Sequence, residues 1–417
     1  MSHIEVISMG CRLNAYESEV MRQHATEAHP DKTITIINTC AVTSEAERQA
    51  RQMIRRARKD RPDAQIIVTG CASQINPQRY ADMPEVDVVL GNEEKMSPQA
   101  FDVHEERVRV NDIMELKETA LHMVDAYAEH TRAFVQIQNG CNHRCTFCII
   151  PYGRGNSRSV AMGEIVQQVR ALVERGYKEI VFTGVDISAY GEDLPNQPTL
   201  GTLVKRVLKA IPELPRLRLS SIDAVEVDDA LYDAIGSEER LLPYMHISLQ
   251  AGDDMILKRM KRRHNRADAI AFCNRVRDLR PDMIFGADLI AGFPTETDAM
   301  FANSLALVEE IGLPYLHVFP YSEREGTPAA KMPQVAGDIR RERARVLREA
   351  GARVLDGFLD QKIGTSMQVL VEQHGRGHCQ QFADVCVPES AMVGSIVELT
   401  CIGREGMALI GQMHNER

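Results

Sequence analysis

The sequence predicts an α/β protein of three parts: a parallel-sheet βαβ domain, a partial barrel of six βα units and a small antiparallel β-barrel. Three observations predict this architecture. Short runs rich in Ile and Val alternate with helical patterns over residues 1–103, the alternation restarts near residue 131, and short strands separated by glycines follow Gly364. A chain of 417 residues is also too long for one ordinary core, which suggests two or three domains.

The first domain is predicted from apolar runs that are bounded by polar residues or glycine, a pattern typical of strands buried in a parallel sheet. The runs cover residues 4–10, 33–39, 65–70 and 86–91. Helical periodicity covers Asn14 to Ala28 and Ser44 to Lys59, and Thr43 is suited to cap the second helix. Strands and helices in this order predict a βαβαβ unit with right-handed crossovers.

Each of the first three strands is followed by a cysteine, namely Cys11, Cys40 and Cys71. Their separations of 29 and 31 residues correspond to about one βα unit each. Because the carboxyl ends of parallel strands lie at one edge of the sheet, we expect the three thiols to meet there. Converging thiolates favour a soft metal centre; three buried structural cysteines are the alternative.

The middle domain is predicted from a second series of strand candidates. They cover residues 133–138, 178–184, 216–221, 244–250, 282–290 and 315–321. Helical patterns fill the gaps, for instance over 163–175 and 267–279. Six βα units predict an open barrel, smaller than an eight-fold one, over residues 131–360. Residues 104–130, which have mixed charge and little apolar periodicity, are predicted to connect the first two domains.

Three more cysteines follow the first barrel strand. Cys141, Cys145 and Cys148 have the spacing C-x3-C-x2-C, and the next cysteine is Cys273. In βα-barrels the loops after the strands carry the chemistry. Three thiolates on one loop can hold three irons of a [4Fe–4S] cube, which leaves the fourth iron open to a substrate or cofactor. A zinc site of the Cys3His type, completed by His143 or another histidine, is the alternative.

The last part of the chain, residues 361–417, is predicted to form a small antiparallel barrel. Its strand candidates cover residues 366–372, 382–387, 395–400 and 407–412. A charged helix over Arg340 to Asp360 precedes them and is expected to close the middle barrel. The segment carries four Lys or Arg against six Asp or Glu, which argues against RNA binding by this segment alone.

Composition limits the class of protein. The net charge of −10 argues against a general polyanion binder, which is usually basic. The chain contains no apolar run long enough to span a membrane and no signal-peptide pattern at its start, so we expect a cytoplasmic protein. Disulfides are then not expected, because the cytosol keeps thiols reduced. Four cysteines without ligand spacing are interpreted as packing residues: Cys273, Cys379, Cys386 and Cys401.

Two runs of basic residues can each be interpreted either as solvated surface or as a binding site for an anion. The run from Arg48 to Arg61 is either a solvated helix face or a phosphate-contacting surface. The second run follows the fourth barrel strand and is either a solvated turn or a site for a carboxylate or phosphate. Its members are Arg259, Lys261, Arg262 and Arg263.

The C-x3-C-x2-C loop at the start of a partial barrel resembles the radical S-adenosylmethionine (SAM) superfamily, and the similarity extends over nearly the whole chain. Three stretches look like the N-terminal domain of the methylthiotransferases: GCRLN (10–14), NTCAVT (38–43) and TGCASQ (69–74). Further stretches are similar to that family's core blocks: FTGVDISAYG (182–191), LSSID (219–223), SLQAGDD (248–254), DLIAGFPTET (288–297) and HVFPYSEREGTPAA (317–330). The C-terminal segment resembles a TRAM domain, an RNA-binding module.

The resemblance implies SAM and two [4Fe–4S] clusters as cofactors. The cluster that binds SAM would be held by Cys141, Cys145 and Cys148, and an auxiliary cluster that handles the sulfur would be held by Cys11, Cys40 and Cys71. For the SAM pocket it implies six residues, whose alternative roles are packing and loop hydrogen bonding: Phe147, Gly184, Asp186, Ser220, Ser221 and Gln250.

Arg12 and Leu13 bear on the branch within the family. The branch acting on isopentenyl-adenosine tends to read GCQMN here, and the branch acting on a ribosomal-protein aspartate tends to read GCPKN. GCRLN, with Ala41-Val42-Thr43 after the second cysteine, resembles a third branch, which methylthiolates N6-threonylcarbamoyladenosine at A37 of the tRNA anticodon stem-loop. The resemblance also implies an electron donor, whose identity the sequence does not indicate. The alternatives are the two sister activities and a zinc-containing RNA-binding protein without enzymatic activity.

Overall fold

The computed structural model describes residues 3–102, 106–117 and 131–413. The elements of the N-terminal domain are β1 (His3–Ser8), α1 (Arg12–Ala28), β2 (Thr33–Thr39), α2 (Ser44–Asp60), β3 (Gln65–Gly70), α3 (Cys71–Ile75), α4 (Pro77–Ala81), β4 (Val88–Leu90) and β5 (Val108–Arg109). The five strands form one sheet in the order β1-β2-β3-β4-β5, and every pairing is parallel. The predicted parallel-sheet domain is therefore confirmed.

The fifth strand was not predicted. Residues 108–109 lie inside the segment interpreted as a connector, yet they pair with β4 and extend the sheet past residue 103. Two residues are too few to show the alternation by which a strand is identified from sequence. Of the remaining connector residues, 106–107 and 110–117 are described, whereas 104–105 and 118–130 lie outside the described residues.

Helix α2 begins where its N-cap residue predicts. The side chain of Thr43 accepts a hydrogen bond from the backbone N–H of Ala46 at 3.1 Å. This bond satisfies one of the N–H groups that the first turn of a helix leaves without a partner. Glu45 and Glu47 in the first turn, and Arg58 and Lys59 in the last, also complement the helix dipole.

We expect Thr43→Ala to destabilise α2 by about 1 kcal/mol, because alanine cannot accept the capping bond. Hydrogen–deuterium exchange of the amides in the first turn of α2 measures the effect, which is expected as several-fold faster exchange. Thr43→Ser is the matched control, since serine keeps the acceptor oxygen. Equal protection in the alanine variant and the wild type would show that the cap is not needed.

The middle domain is a partial parallel barrel. Its elements in chain order are β6 (Arg132–Gln136), β7 (Gln138–Asn139), α5 (Ile150–Arg154), β8 (Arg158–Ser159), α6 (Met162–Glu174), β9 (Glu179–Thr183), α7 (Leu200–Ala210), β10 (Arg216–Leu219), β11 (Ser221–Ile222), α8 (Asp229–Ser237), β12 (Tyr244–Gln250), α9 (Asp254–Arg259), α10 (Arg266–Leu279), β13 (Ile284–Ala291), α11 (Asp298–Ile311), β14 (Tyr315–Pro320) and α12 (Gly337–Lys362). All six predicted strands are present.

The barrel wall consists of two parallel sheets, β10-β9-β6 and β11-β12-β13-β14. Because β10 and β11 follow each other directly, the wall is nearly continuous from β6 to β14, and the described residues contain no pairing between these two edge strands. The predicted incomplete barrel is confirmed. No helix within the described ranges is long and apolar enough to cross a membrane.

Strand β10 of the barrel places leucines on the face that packs against the helices and arginines on the face toward the barrel interior. Leu217 and Leu219 of β10 belong to the main core, which also contains Val204 and Val207 of α7. Because side chains alternate along a strand, Arg216 and Arg218 point to the barrel interior. Helix α1 of the first domain contributes to the same core and packs beside β6, so the N-terminal domain covers one side of the barrel opening.

The C-terminal segment forms a closed five-stranded barrel in the order β15-β16-β17-β19-β18. Its strands are β15 (Ser366–Gln373), β16 (Arg376–Cys379), β17 (Asp384–Cys386), β18 (Ile396–Glu405) and β19 (Ala408–Met413). The small barrel is confirmed, but two details of the prediction were wrong. Strand β16 was missed because RGHC carries no apolar alternation, and Gly377 packs its backbone against Leu370. In addition, β17 pairs with β19 in parallel, whereas all pairings were expected to be antiparallel.

Candidate metal centres

The first cysteine triplet lies at the carboxyl edge of the N-terminal sheet, as its spacing predicts. Cys11 precedes the first turn of α1, Cys40 follows β2, and Cys71 is the first residue of α3 after β3. The three thiols are close enough for their charges to interact. Gly10, with a φ of +93°, keeps this approach open, because a Cβ there would lie 2.9 Å from the sulfur of Cys40.

The second triplet lies on the loop that follows β7. The thiol of Cys141 accepts a hydrogen bond from the backbone N–H of His143 at 3.4 Å, and the backbone N–H of Cys141 donates to the carbonyl oxygen of Gly155 at 3.1 Å. Cys148 lies just before α5 and its backbone N–H donates to the carbonyl oxygen of Cys145 at 3.1 Å. Electrostatic interactions link Cys148 to Cys141 and Cys145, so this loop folds back on itself.

Gly140 supplies the positive φ with which the loop of the second triplet begins. Its φ is +72°, and a Cβ at this position would collide with the backbone oxygen of Asn156. We expect Gly140→Ala to prevent binding of one cluster and to leave about half of the iron, roughly four of eight atoms per chain. Iron and sulfide assays after anaerobic reconstitution measure this.

The control for the Gly140 variant is Gly357→Ala on α12, where an added Cβ has no atom within 4 Å. It is expected to keep all the iron. A Gly140→Ala variant with the iron content of the wild type would show that the loop tolerates a side chain at this turn.

The two triplets lie at one junction between the domains. Helix α5 follows Cys148 and packs on α3, which Cys71 begins. Gly153 of α5 allows the contact, because a Cβ there would lie 3.1 Å from the Cβ of Cys71. Cys148 and Cys71 interact electrostatically across this junction. The thiols of the first and second triplets therefore face a common space.

The sulfur positions fit clusters better than single ions. A tetrahedral zinc ion with bonds of about 2.3 Å holds its sulfur ligands roughly 4 Å apart. Within the described residues, neither cysteine triplet has its three sulfurs within 4.8 Å of one another. A cube does not need its sulfur ligands so close together, because each thiolate binds a different iron. Ligand atoms of Cys141, His143 and Asp186 do lie within 4.8 Å of one another, but the described residues bring no set of three cysteines and a histidine together in this way.

Burial keeps the free thiols protonated. It raises the pKa of Cys40 to about 11, with the nearby thiols of Cys71 and Cys11 adding to the shift. It likewise raises the pKa of Cys148 to about 11, with a contribution from Cys145. Because a metal binds the thiolate, assembly of either centre must release protons.

A buried cluster of charges supports the first triplet. Arg154 is 2 % exposed, and its Nε donates to the sulfur of Cys71 at 3.1 Å. Its Nη2 donates to Glu17 Oε2 at 2.9 Å and to Asn14 Oδ1 at 2.5 Å. Lys95 Nζ, fully buried, donates to the same Glu17 oxygen at 2.6 Å. Burial alone would raise the pKa of Glu17, but the two cations outweigh it and hold the pKa below its usual range.

This cluster has a net positive charge next to Cys71, because Arg154 and Lys95 share a single carboxylate. A cube held by three thiolates is negatively charged, so a buried cation next to it is favourable. The sequence analysis did not single out Arg154, Glu17 or Lys95. The one available signal was Arg154 in the stretch that continues from the second triplet.

The predicted SAM-pocket residues lie around the second triplet. The thiol of Cys141 donates to Asp186 Oδ2 at 3.5 Å, and Nε2 of His143 lies 3.0 Å from the same oxygen. The backbone N–H of Asp186 donates to Gln138 Oε1 at 2.8 Å, which ties the loop after β9 to the cysteine loop. A Cβ on Gly184 would lie 2.7 Å from the carbonyl oxygen of Gln138, so glycine is needed at that position.

The other four SAM-pocket candidates lie at strand ends or beside the loop. Phe147 packs edge-on against Phe293, with ring centroids 6.4 Å apart. Ser220 is buried and its hydroxyl has no hydrogen-bond partner among the described residues. Ser221 begins β11, and Gln250 ends β12 with a φ of +70°. Their contacts with a cofactor stay a prediction.

The second basic run is divided between two environments. Arg262 is buried, donates to Asp223 Oδ2 at 2.8 Å, and lies with Nη1 3.6 Å from the sulfur of Cys145. Arg263 pairs with Glu226 at the surface. Arg262 thus supports the second triplet as Arg154 supports the first, a role that the sequence analysis did not assign.

The arginines on α2 are mostly paired with carboxylates. Arg48 pairs with Glu45 at 2.6 Å, Arg56 with Asp60 at 3.3 Å, and Arg61 with Glu5 at 2.9 Å. Paired side chains have little charge left for phosphate groups, so the contacts favour the solvated-face interpretation of this run.

Comparisons with known proteins agree with this geometry. Residues 135–308 match the radical SAM superfamily, and residues 3–91 match the uncharacterized protein family UPF0004. The chain is 54 % identical over 401 residues to the threonylcarbamoyladenosine tRNA methylthiotransferase MtaB of Rickettsia prowazekii (strain Madrid E), covering 96 % of this chain and 95 % of that protein. It is 35 % identical to the MtaB protein of Aquifex aeolicus (strain VF5), covering 94 % and 98 %.

A second type of relative is more distant. The tRNA-2-methylthio-N(6)-dimethylallyladenosine synthase of Nitratidesulfovibrio vulgaris (strain DP4) is 31 % identical over 396 residues, covering 90 % of this chain and 86 % of that protein. Among solved structures, the radical SAM methyltransferase TsrM from Kitasatospora setae matches with a TM-score of 0.57 at 12 % identity, over 79 % of this chain and 75 % of that one, which supports the fold alone. Identity at this level over nearly the full length of several relatives shows that the chain belongs to the radical SAM methylthiotransferase family.

Proposed function

We propose that this chain is a tRNA methylthiotransferase that converts N6-threonylcarbamoyladenosine at position 37 into its 2-methylthio derivative. The observation that carries the proposal is the pair of cysteine triplets that face each other across α3 and α5. The substrate is taken from the 54 % identical relative, since the relative named for dimethylallyladenosine is only 31 % identical. Arg12 and Leu13 support the same branch.

Two [4Fe–4S] clusters would be bound at this junction. Cys141, Cys145 and Cys148 would hold the cluster that binds SAM. The auxiliary cluster, the less supported of the two, would be held by the three N-terminal cysteines Cys11, Cys40 and Cys71. Bound together, the reduced cluster and SAM supply a 5′-deoxyadenosyl radical able to remove hydrogen from C2 of the adenine, and a second SAM supplies the methyl group.

The protein's own residues would position these groups. Gln138 accepts from the backbone N–H groups of Val185 and Asp186 at 3.0 and 2.8 Å, which holds the loop after β9 against the cysteine loop. Asp186 would then offer a carboxylate to the amino group of SAM. The buried pair of Arg262 and Asp223 would hold the position of Cys145 from the other side.

The partner would be a tRNA anticodon stem-loop, together with an electron donor whose identity is open. C2 of the adenine cannot be reached while the base is stacked, so the nucleotide must leave the loop stack at a cost of roughly a few kcal/mol. The C-terminal barrel, which resembles a TRAM domain, would contact the stem, although its own charge is acidic. We propose that the protein acts in the cytoplasm, where tRNA is available as its substrate.

Mass spectrometry of tRNA nucleosides tests the proposal. A strain without this protein is expected to accumulate N6-threonylcarbamoyladenosine and to lack its 2-methylthio form, and the wild-type gene is expected to restore that form. An unchanged 2-methylthio level would refute the assigned substrate. Loss of the 2-methylthio mark from isopentenyl-adenosine, or from a ribosomal-protein aspartate, would assign one of the sister activities instead. Zinc without iron in anaerobically purified protein would leave only the RNA-binding alternative.

A further inference from the structure

The barrel interior next to the first triplet contains Arg12, which forms no ion pair among the described residues, although the carboxylate of Glu179 is near enough for the two charges to interact. Arg12 directly follows Cys11 and enters the interior beside Tyr244, Arg132 and Arg218. Its guanidinium carbon lies 6.0 Å from the ring centroid of Phe382, and no other hydrogen bond or ion pair of Arg12 occurs among the described residues.

Arg218 is the second unsatisfied cation in this space. It is 1 % exposed, and its Nε donates to Glu179 Oε1 at 2.8 Å. Its Nη1 and Nη2 are buried and have no hydrogen-bond partner in the described part of the chain. Leaving charged N–H groups buried without acceptors is costly, so a bound acceptor would stabilise them.

The local charge is positive. Arg216 shares Glu179 with Arg218, at 3.5 Å, and Arg132 pairs with Glu372 at 3.0 Å. Four guanidinium groups, including that of Arg12, thus surround two carboxylates. The guanidinium carbon of Arg218 lies 4.9 Å from the ring centroid of Phe382, the same ring that Arg12 approaches, so the two guanidinium groups share one neighbour.

The same interior is open to solvent along the edge strand β14. His317 on this strand is 60 % exposed, and its Nδ1–H donates to Asp288 Oδ1 at 3.1 Å. Asp288 also contacts His246 at 3.0 Å, and His246 contacts the hydroxyl of Tyr244 at 3.1 Å. A polar lining therefore continues from the exposed edge to the ring of Tyr244, which Arg218 approaches to 5.8 Å.

We propose that Arg12 and Arg218 bind the carboxylate of the N6-threonylcarbamoyl group and so select this base over uncharged N6 substituents. The inference rests on the proposed function. Guanidinium groups bind carboxylates through two parallel hydrogen bonds. The adenine C2 must lie near the first triplet, which Arg12 adjoins, while the threonyl carboxylate extends several bonds beyond N6. An isopentenyl group would leave the arginine N–H groups without acceptors, and sites built for a polar partner reject such analogues strongly.

Synthetic anticodon stem-loops test the site. The anaerobically reconstituted full chain is given three RNAs, which carry N6-threonylcarbamoyladenosine, its threoninamide analogue without the carboxylate, or isopentenyl-adenosine. Dissociation constants are measured by fluorescence anisotropy, and kcat/KM by mass spectrometry of the product. We expect wild-type protein to prefer the carboxylate over the amide by at least about 100-fold in kcat/KM and to bind it more tightly. If wild-type protein used the carboxylate RNA and the amide RNA equally well, that result alone would overturn the inference.

Two variants locate the preference. Arg12→Gln and Arg218→Gln are each expected to reduce the preference to within about threefold, and the iron content of each variant is measured alongside. Arg12→Lys is expected to restore part of it, because the charge remains. Arg353→Gln, an exposed arginine paired with Glu309, serves as the control and is expected to keep the full preference. A full preference in both glutamine variants would refute the assignment.

The outcomes separate this inference from the proposed function. If wild-type protein modifies the threonylcarbamoyl RNA but the variants keep their preference, only the carboxylate site is wrong. If wild-type protein with both clusters modifies none of the three RNAs, the proposed substrate class is wrong. If a glutamine variant loses iron, its result is set aside. The wild-type preference for the threonylcarbamoyl RNA over its threoninamide analogue then decides whether the carboxylate is recognised.

Discussion

Replacing Cys148 by alanine is expected to remove about half of the iron, roughly four of eight atoms per chain, and to abolish both reductive SAM cleavage and methylthiolation. The reason is that the remaining thiols, Cys141 and Cys145, can hold only two corners of a cube. Cys71→Ala is the complementary variant. It is also expected to lose about half of the iron and all product, but to keep SAM cleavage, because its loss affects the N-terminal triplet.

Iron and sulfide assays, together with 5′-deoxyadenosine formation, distinguish the two cysteine variants. Cys273→Ala is the matched control, since this cysteine is buried in the core far along the chain from either triplet. It is expected to keep both clusters. If Cys71→Ala retained the full iron content, the N-terminal triplet would not be a metal centre and the proposed sulfur insertion would lack its second cluster.

Replacing Arg154 by glutamine is expected to give the second large effect. The substitution leaves Glu17 with Lys95 as its single cationic partner and removes the hydrogen bond to Cys71. Breaking a buried ion pair from one side costs about 3–5 kcal/mol. We therefore expect a clear fall in the melting temperature, a loose contact between α5 and α3, and weak iron binding at the N-terminal triplet.

A redox titration followed by electron paramagnetic resonance gives a further readout for Arg154. Where the auxiliary cluster does assemble in Arg154→Gln, its potential is expected to fall, because a positive charge next to the cube has been removed. Arg154→Lys is expected to keep the potential closer to that of the wild type but to lose the forked contacts with Glu17. Arg345→Gln, on the exposed face of α12, is the control and is expected to change neither quantity. Wild-type stability and potential in Arg154→Gln would contradict the assigned role.

Much of the fold followed from local patterns. The strands of the N-terminal sheet and of the middle barrel could be predicted because buried parallel strands are continuous apolar runs, and their spacing repeats with each βα unit. The two cysteine triplets were found for the same reason, since a residue that directly follows a parallel strand must lie at the carboxyl edge. Strand β16 and the short β5 were missed, because glycine-rich or two-residue strands carry no such pattern.

The contacts that support the two triplets could not be found this way. Along the chain, Arg154 is 83 residues from Cys71, and Arg262 is 117 residues from Cys145. The basic run from Arg48 to Arg61 shows that sequence also cannot reveal which charges are paired in the fold. Arg61, just after α2, pairs with Glu5 of β1, so a run that is basic in sequence is largely paired in the fold.

The sequence by itself predicted which thiols would bind iron and determined at which strand ends they lie, because the period of the βα unit and the need for thiolate ligands are both local properties. Only the tertiary structure decided that the two triplets face one junction, that Arg154 and Arg262 lie against them, and that Arg12 enters the barrel interior without forming an ion pair among the described residues. The physical reason is that burial and charge pairing depend on which surfaces meet when the domains pack, and side chains far apart in the chain supply those surfaces.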